Sequence, residues 1–423
     1  LPDPDNIEVF REYESFYRLL VRATDPDPAR RFASAQEMAE QLTGVLREVV
    51  SLQTGRARPA LSTLFGPELK VTDTELFPKL EGDVSRLGAR AVQPRKGQHP
   101  QLPVSANGTA ALVKHVNSPT AALALPVPRI DPSDPNAGFL AGLMTTAPAE
   151  LLGALAAAPA ASVETRLRQI RAWLENGDSA TARGALQTLE TERPDDWRVV
   201  WYRGVAALVT GDEEGAALAF DAIYDAFPGE PAPKLALGLC AELLGQLDNA
   251  AEYYRLVWST DPSYVSAAFG LARVQLATGD RRSAVRTLES VPESSIHYTA
   301  ARVAAVRARL RGRTAAASDV PFLDDLKAAA GQVEALDAYG LDPARREQLS
   351  AEVLGCALDW ILSGGQVVAP AAQRVLLGSD LDERGLRFGL ERSYRTLARL
   401  ARGGEERIDL VERANRYRPR TWV

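Results

Sequence analysis

Apolar side chains recur at helical spacing in two regions of the chain, separated by a long stretch where the pattern is lost. Near the start, Val9, Phe10, Tyr13, Phe16, Tyr17, Leu20 and Val21 fall close to one stripe, which predicts a helix over 7–23. Asp25-Pro26-Asp27-Pro28 must end it, because each proline lacks an N–H and pushes its predecessor out of the right-handed helical region. Ser34-Ala35-Gln36-Glu37 reads as a capping box opening a second helix, with Met38, Leu42, Val45, Leu46 and Val49 spaced for one buried face. From Gly55 to Ala160 thirteen prolines interrupt the chain, which predicts a linker that partly docks on its neighbours. Within it, Arg95 to Pro100 has the look of a loop tip, and Ala111–Val116 and Leu123–Ile130 could form short extended pieces.

Beyond residue 160 the chain repeats every 34 residues. Gly177, Gly211, Gly245 and Gly279 are spaced by 34, as are Ala182, Ala216, Ala250 and Ala284. Leu186, Phe220, Tyr254 and Leu288 form a third column, followed by Pro194, Pro228 and Pro262. This pattern resembles the tetratricopeptide repeat, a helix pair whose period is 34 and whose signature contains Ala-x3-Phe and a later Pro. Each choice has a physical reason. Gly204 and Gly238 allow close helix approach, Gly211, Gly245 and Gly279 supply a left-handed residue after the first helix, and the prolines end the second. With units opening at Val163, Trp197, Pro231 and Val265, the inner helices place Arg171, Arg198, Trp201, Phe269 and Arg273 as candidate peptide-binding residues. The alternative is that Trp201 and Phe269 pack between helices and the arginines are solvated. Leu167, Tyr202, Ala232 and Ala236 occupy the positions where a carboxylate clamp would need Lys and Asn, so that clamp is absent. After His297, helices are predicted over 299–310, 322–336, 343–362, 386–400 and 407–415, capping the apolar end of the array.

Composition narrows the function classes. Lys and Arg number 49 against 55 Asp and Glu, a net charge of −6, which argues against a chain built mainly to hold nucleic acid. Two cysteines, Cys240 and Cys356, provide no disulfide framework, and three histidines leave little for a metal centre; a reducing, cytoplasmic compartment fits. The most apolar run, 149–161, is too short to span a membrane. No phosphate-binding Gly-rich loop, dinucleotide fingerprint, His-Glu-x-x-His or Cys-x-x-Cys occurs, so the stretch itself offers no catalytic, cofactor or metal residues.

Leu19 to Met38 resembles the last subdomain of a protein kinase large lobe. Asp27-Pro28-Ala29-Arg30-Arg31 matches its Asp-Pro-x-x-Arg, with Arg31 at the arginine that pairs with the Glu of the Ala-Pro-Glu motif, and Phe32 replacing the usual proline. Joined to a linker and repeats, and to stretches such as LTGVLREVV, FPGEPAPKLAL and CALDW, this resembles the C-terminal part of the actinobacterial protein kinase G family. The resemblance implies a mainly α chain. Residues 1–54 would end a kinase domain, 55–160 a Pro-rich linker, 161–298 four repeats and 299–423 a capping helical region. It further implies a soluble parent serine/threonine kinase using ATP and Mg that phosphorylates a forkhead-associated-domain regulator of glutamate metabolism, with repeats that bind protein or form a homodimer. In this reading the start, LPDPDNIEVF, lies in the middle of a longer protein, upstream of which the catalytic residues lie. A free-standing repeat scaffold without enzymatic activity is the alternative.

Overall fold

The computed structural model describes residues 1–80, 82–90, 112–143, 146–313, 320–365 and 374–419. The predicted loop tip at 95–100 and the start of the extended piece at Ala111 lie outside the described residues. The chain begins with α1 (Glu8–Glu12), α2 (Glu14–Ala23) and α3 (Ala35–Thr54). The first predicted helix is thus two: Tyr13 leaves the helical region at φ −124°, ψ 71°, and the break lets Phe10 pack on Phe16 and Tyr17. The cap of α3 also differs from the expected box. Ser34 Oγ accepts from the Glu37 N–H, but Glu37 reaches past Ser34 to accept from the Ala33 N–H, while also pairing with Arg22.

The proline-rich stretch contains α4 (Ser118–Ala122), α5 (Ala137–Gly142) and α6 (Pro148–Leu155), two of them with proline in the first turn, where its missing N–H costs nothing. Phe65, Leu76, Phe77, Ala122, Leu125, Leu140, Leu151 and Leu155 are buried, so much of the expected linker is packed. Of its expected extended pieces, Leu123 instead closes α4, and Pro128 makes an antiparallel bridge with Phe65.

Four helix pairs follow: α7 (Val163–Glu175) with α8 (Ser179–Glu192), α9 (Trp197–Val209) with α10 (Glu213–Ala226), α11 (Pro231–Leu243) with α12 (Leu247–Thr260), and α13 (Val265–Ala277) with α14 (Arg281–Glu289). Gly177, Gly211, Gly245 and Gly279 take φ of 81°, 77°, 73° and 87° at the turn inside each pair, the left-handed conformation that glycine adopts without steric cost. The alanine column is 0% exposed at all four positions, and in the first three pairs it lies where the second helix packs on the first. Gly204 is needed because a Cβ there would meet the Phe220 ring at 2.6 Å.

The remaining helices are α15 (Tyr298–Leu310), α16 (Val320–Ala335), α17 (Pro343–Leu362), α18 (Glu383–Leu400) and α19 (Gly404–Tyr417). A hairpin that helical periodicity could not reveal, β1 (Val375–Leu376) with β2 (Ser379–Asp380), precedes α18 and turns through Leu377 and Gly378, both at positive φ. The chain divides into two compact units, 1–73 with 115–274 and 74–114 with 275–423, the division falling within α13. In the second unit, Asp359 of α17 holds the segment 85–87 by accepting from the Ser85 hydroxyl and the backbone N–H groups of Arg86 and Leu87.

Candidate interaction site on the repeats

The inner helices α7, α9, α11 and α13 were expected to present an open face. The structure corrects this: Trp201 and Phe269 are 0% exposed and Arg171 and Arg273 only 7%. Arg198 is nearly as enclosed, with 15% of its side chain exposed. What covers this surface is the chain's own residues 62–73 and 117–131.

These two legs form a strap, and local chemistry builds it. Ser62 Oγ accepts from the N–H groups of Leu64 and Phe65 at 3.0 and 2.8 Å and donates to Glu230, a tight turn that aims Phe65 inward. The Phe65 ring stands edge-on to Trp197 and Trp201, with centroids 5.2 and 4.7 Å away. Asn117 caps α4 by accepting from the Thr120 N–H, which sets the short helix against α9 and α11. The legs join through Gly66 N–H to Val127 O and Arg129 N–H to Leu64 O, both 2.8 Å.

The arginines expected to wait for a partner already hold one within the chain, although Arg171 Nη1 is buried without a partner of its own. Arg171 donates to Glu175 and to the Leu123 carbonyl on the strap. Arg198 pairs with Asp196 and with Glu164, whose carboxylate also accepts from the Asp131 N–H on the strap. Its hydrogen bonds with Asp196 hold the guanidinium's pKa above its ordinary value, whereas burial raises that of Glu164. Arg273 clasps Glu242 through two bonds of 2.7 and 2.9 Å, and Tyr254 donates to the same carboxylate. Burial disfavours the charge on Arg273, but the adjacent Glu242 carboxylate outweighs it. Arginines so paired cannot bind an acidic ligand without giving up a buried partner.

Beneath the strap lies a cavity of about 30 Å³, room for one water, lined by Glu68, Asp73, Tyr254, Ser266 and Arg273 among others. Glu68 accepts from the Ser266 N–H through one oxygen, while its Oε1 is buried without a partner. Burial pushes this carboxyl up to about 7.

A second set of contacts ties α2 and α3 to the repeats. Gln41, Gly44, Val45, Glu48 and Ser51 are the buried face of α3. Gln41 accepts from the Gly229 N–H at 2.8 Å, and a Cβ on Gly44 would meet Gly229 O at 2.3 Å. Lys234, 0% exposed, ion-pairs with Glu48 and donates to the carbonyls of Pro228 and Glu230. Ser15 of α2 bonds the Tyr224 hydroxyl, and Arg18 pairs with Asp221 and Asp225. Of the stripe expected to be buried, Val45 is buried and Val49 half-buried, but Met38, Leu42 and Leu46 are 36%, 44% and 57% exposed, because the face carrying Gln41, Gly44 and Glu48 is the one turned to the repeats. Arg31 folds over its own turn, donating to the Asp25 carbonyl at 2.6 Å.

Sequence reasoning missed Phe65, Glu68, Glu48 and Lys234. Only Lys234 carried a local signal: a lysine inside the apolar run PAPKLALGLC needs a buried partner. The cysteines are chemically quiet, since burial pushes both Cys240 and Cys356 up to about 12 and keeps them protonated. Among the described residues, no group of His, Cys, Asp and Glu is arranged to hold a metal, and no helix is long and apolar enough to cross a membrane.

The family model described as the protein kinase G tetratricopeptide repeat matches residues 98–421. The chain is 39% identical over 436 aligned residues to serine/threonine-protein kinase PknG of Mycobacterium leprae (strain TN). It is 37% identical over 434 to the protein of that name in Mycolicibacterium smegmatis (strain ATCC 700084 / mc(2)155). Each alignment covers 98% of this chain and 52% of the relative, so the chain spans about half the length of the curated relatives it matches. This chain belongs to the protein kinase G tetratricopeptide-repeat family.

Proposed function

We propose that this chain is the regulatory and protein-interaction region of a serine/threonine protein kinase, and that α1–α3 are the end of that kinase's large lobe. The observation that carries the reading is the exposed apolar stripe of α3, from which only Val45 turns fully inward. Its Met38–Leu42–Leu46 stripe faces solvent while Gln41, Gly44 and Glu48 pack inward, as suits a helix that belongs to two bodies at once. The kinase lobe is the surface we assign to that stripe. ATP and Mg bind there, outside this stretch. The acceptor is a forkhead-associated-domain regulator of glutamate metabolism, the compartment is cytoplasmic, and the repeats hold protein partners or a second copy. Because the strap fills the inner face in cis, partners meet other surfaces of this region.

The test compares this chain with a longer protein carrying the whole kinase domain. Labelled ATP and Mg with a Ser/Thr acceptor should give phosphotransfer by the longer protein and background by this chain. Leu42→Glu/Leu46→Glu should leave the melting of this chain within a degree or two yet lower that of the kinase domain in the longer protein. Phosphotransfer by the pure chain, or a double variant silent in both proteins, overturns the reading.

A further inference from the structure

On the last two helices Arg387, Arg395, Arg413 and Arg416 pair with carboxylates, whereas Arg392, Arg399 and Arg407 hold neutral acceptors. Between Glu383 and Arg418 ten arginines face six carboxylates, a local excess of four positive charges on a chain whose net charge is −6. Between α18 and α19 lies an open cleft of about 720 Å³, lined by Phe388, Arg392, Arg395, Arg399, Arg407 and Val411, with Glu391 and Ala398. All four of these arginines are exposed. Among the described residues, only Arg395 of the four has a carboxylate partner, Glu391 one turn before it. Arg392 donates to Leu377 O and Ser379 Oγ, Arg399 to Thr396 Oγ1, and Arg407 to Ala401 O. Neutral acceptors thus hold three guanidinium groups in place without cancelling their charge, which lowers the entropy a ligand must overcome. Tyr394 of α18 and Tyr417 of α19 stack in parallel, 5.7 Å between centroids and both buried, and so tie the two helices that line the cleft to each other. Phe388, 44% exposed, offers an apolar contact in the same cleft.

We propose that this cleft docks an acidic protein segment carrying a large apolar side chain, the carboxylates meeting Arg392, Arg399 and Arg407 and the apolar group covering Phe388. Charge complementarity selects the occupant, since planar guanidinium groups bind carboxylates through two parallel bonds. Glu391, set among the arginines, disfavours a continuous phosphate backbone and so a nucleic acid. The inference rests on the proposed reading only in taking the occupant to be a protein partner of that region.

The test uses this full chain and a fluorescein-labelled peptide alternating Asp and Glu around a central Phe, followed by anisotropy. Arg399→Glu/Arg407→Glu should weaken binding roughly tenfold or more and flatten its salt dependence. Arg282→Glu/Arg286→Glu, the same charge change on exposed α14 residues, should leave it within about twofold. Phe388→Ser should weaken binding and preserve the salt dependence. Equal loss in both double variants, undiminished binding of the Asn/Gln version of the peptide, or stronger binding of a thymidine oligonucleotide at the same cleft overturns the proposal. So does a change of oligomeric state confined to the cleft variant, which would make a second copy the occupant. Phosphotransfer is not read here, so a negative result leaves the kinase assignment standing, and the test of that assignment uses no peptide.

Discussion

Truncating Phe65 to alanine should loosen the strap and cost the repeats their central aromatic contact. Phe65 is 1% exposed, wedged edge-on against Trp197 and Trp201, and Trp201 in turn packs edge-on to Phe220 at 4.9 Å. A phenylalanine deleted from such a site costs about 3–5 kcal/mol when the surroundings cannot collapse. Backbone bonds of Gly66 and Arg129 hold the two legs together on either side of the gap, which limits collapse and puts the expected loss toward the upper part of that range, about 4–5 kcal/mol. Urea unfolding of the chain, followed by tryptophan emission, measures it directly, since the contact partners are themselves the reporters. Leu61→Ala is the control: that side chain lies four residues away, is 85% exposed, and should cost less than about 0.5 kcal/mol. If Phe65→Ala loses under about 1 kcal/mol and leaves the tryptophan emission where it was, the strap does not pack as described.

Glu68 gives a pH signature. Its carboxyl titrates at about 7 when folded against an ordinary 4.5, so the folded state holds the proton more tightly. Stability from this group is therefore present in full below the lower value and declines by about 3 kcal/mol as pH rises to about 7, then stays flat; Glu68→Gln should remove that decline in melting curves across the interval, and an unchanged slope would contradict it. Lys234→Met should destabilise by about 3–5 kcal/mol at pH 8 by stranding Glu48, and Lys234→Met/Glu48→Gln should recover most of the loss in denaturant titrations; no recovery would mean the pair is not coupled. Ala250→Leu should cost about 1–3 kcal/mol where α12 crosses α11, against under about 0.5 for exposed Glu252→Gln, with equal shifts refuting the repeat register.

The repeats were legible because their determinants are local and periodic. A glycine every 34 residues reports a left-handed turn, and an alanine five residues later reports a helix crossing, so the openings at Val163, Trp197, Pro231 and Val265 coincide with the starts of α7, α9, α11 and α13. The strap was not legible. Phe65 sits in an aperiodic run, and what buries it lies more than 130 residues away at Trp197 and Trp201. The same nonlocality misled the reading of Arg171, Arg198 and Arg273, whose spacing on inner helices is real but whose exposure depends on a segment with no pattern of its own. In α3, an apolar stripe normally marks the buried face; here the polar side packs on the repeats because Glu48 finds Lys234 and Gly44 admits the Gly229 backbone. Periodicity shows that a helix has two faces and cannot say what each one meets.

The chain's own strap fills the inner face of the repeats through Phe65, Glu68 and Leu123. Amide hydrogen exchange at Gly66 and Arg129 tests it most directly, because their N–H groups bond only across the two legs. Protection comparable to that of the amides within α9 is the predicted result. Exchange of both at the rate of an unstructured peptide, with α9 still protected, would leave the inner face open and contradict the account.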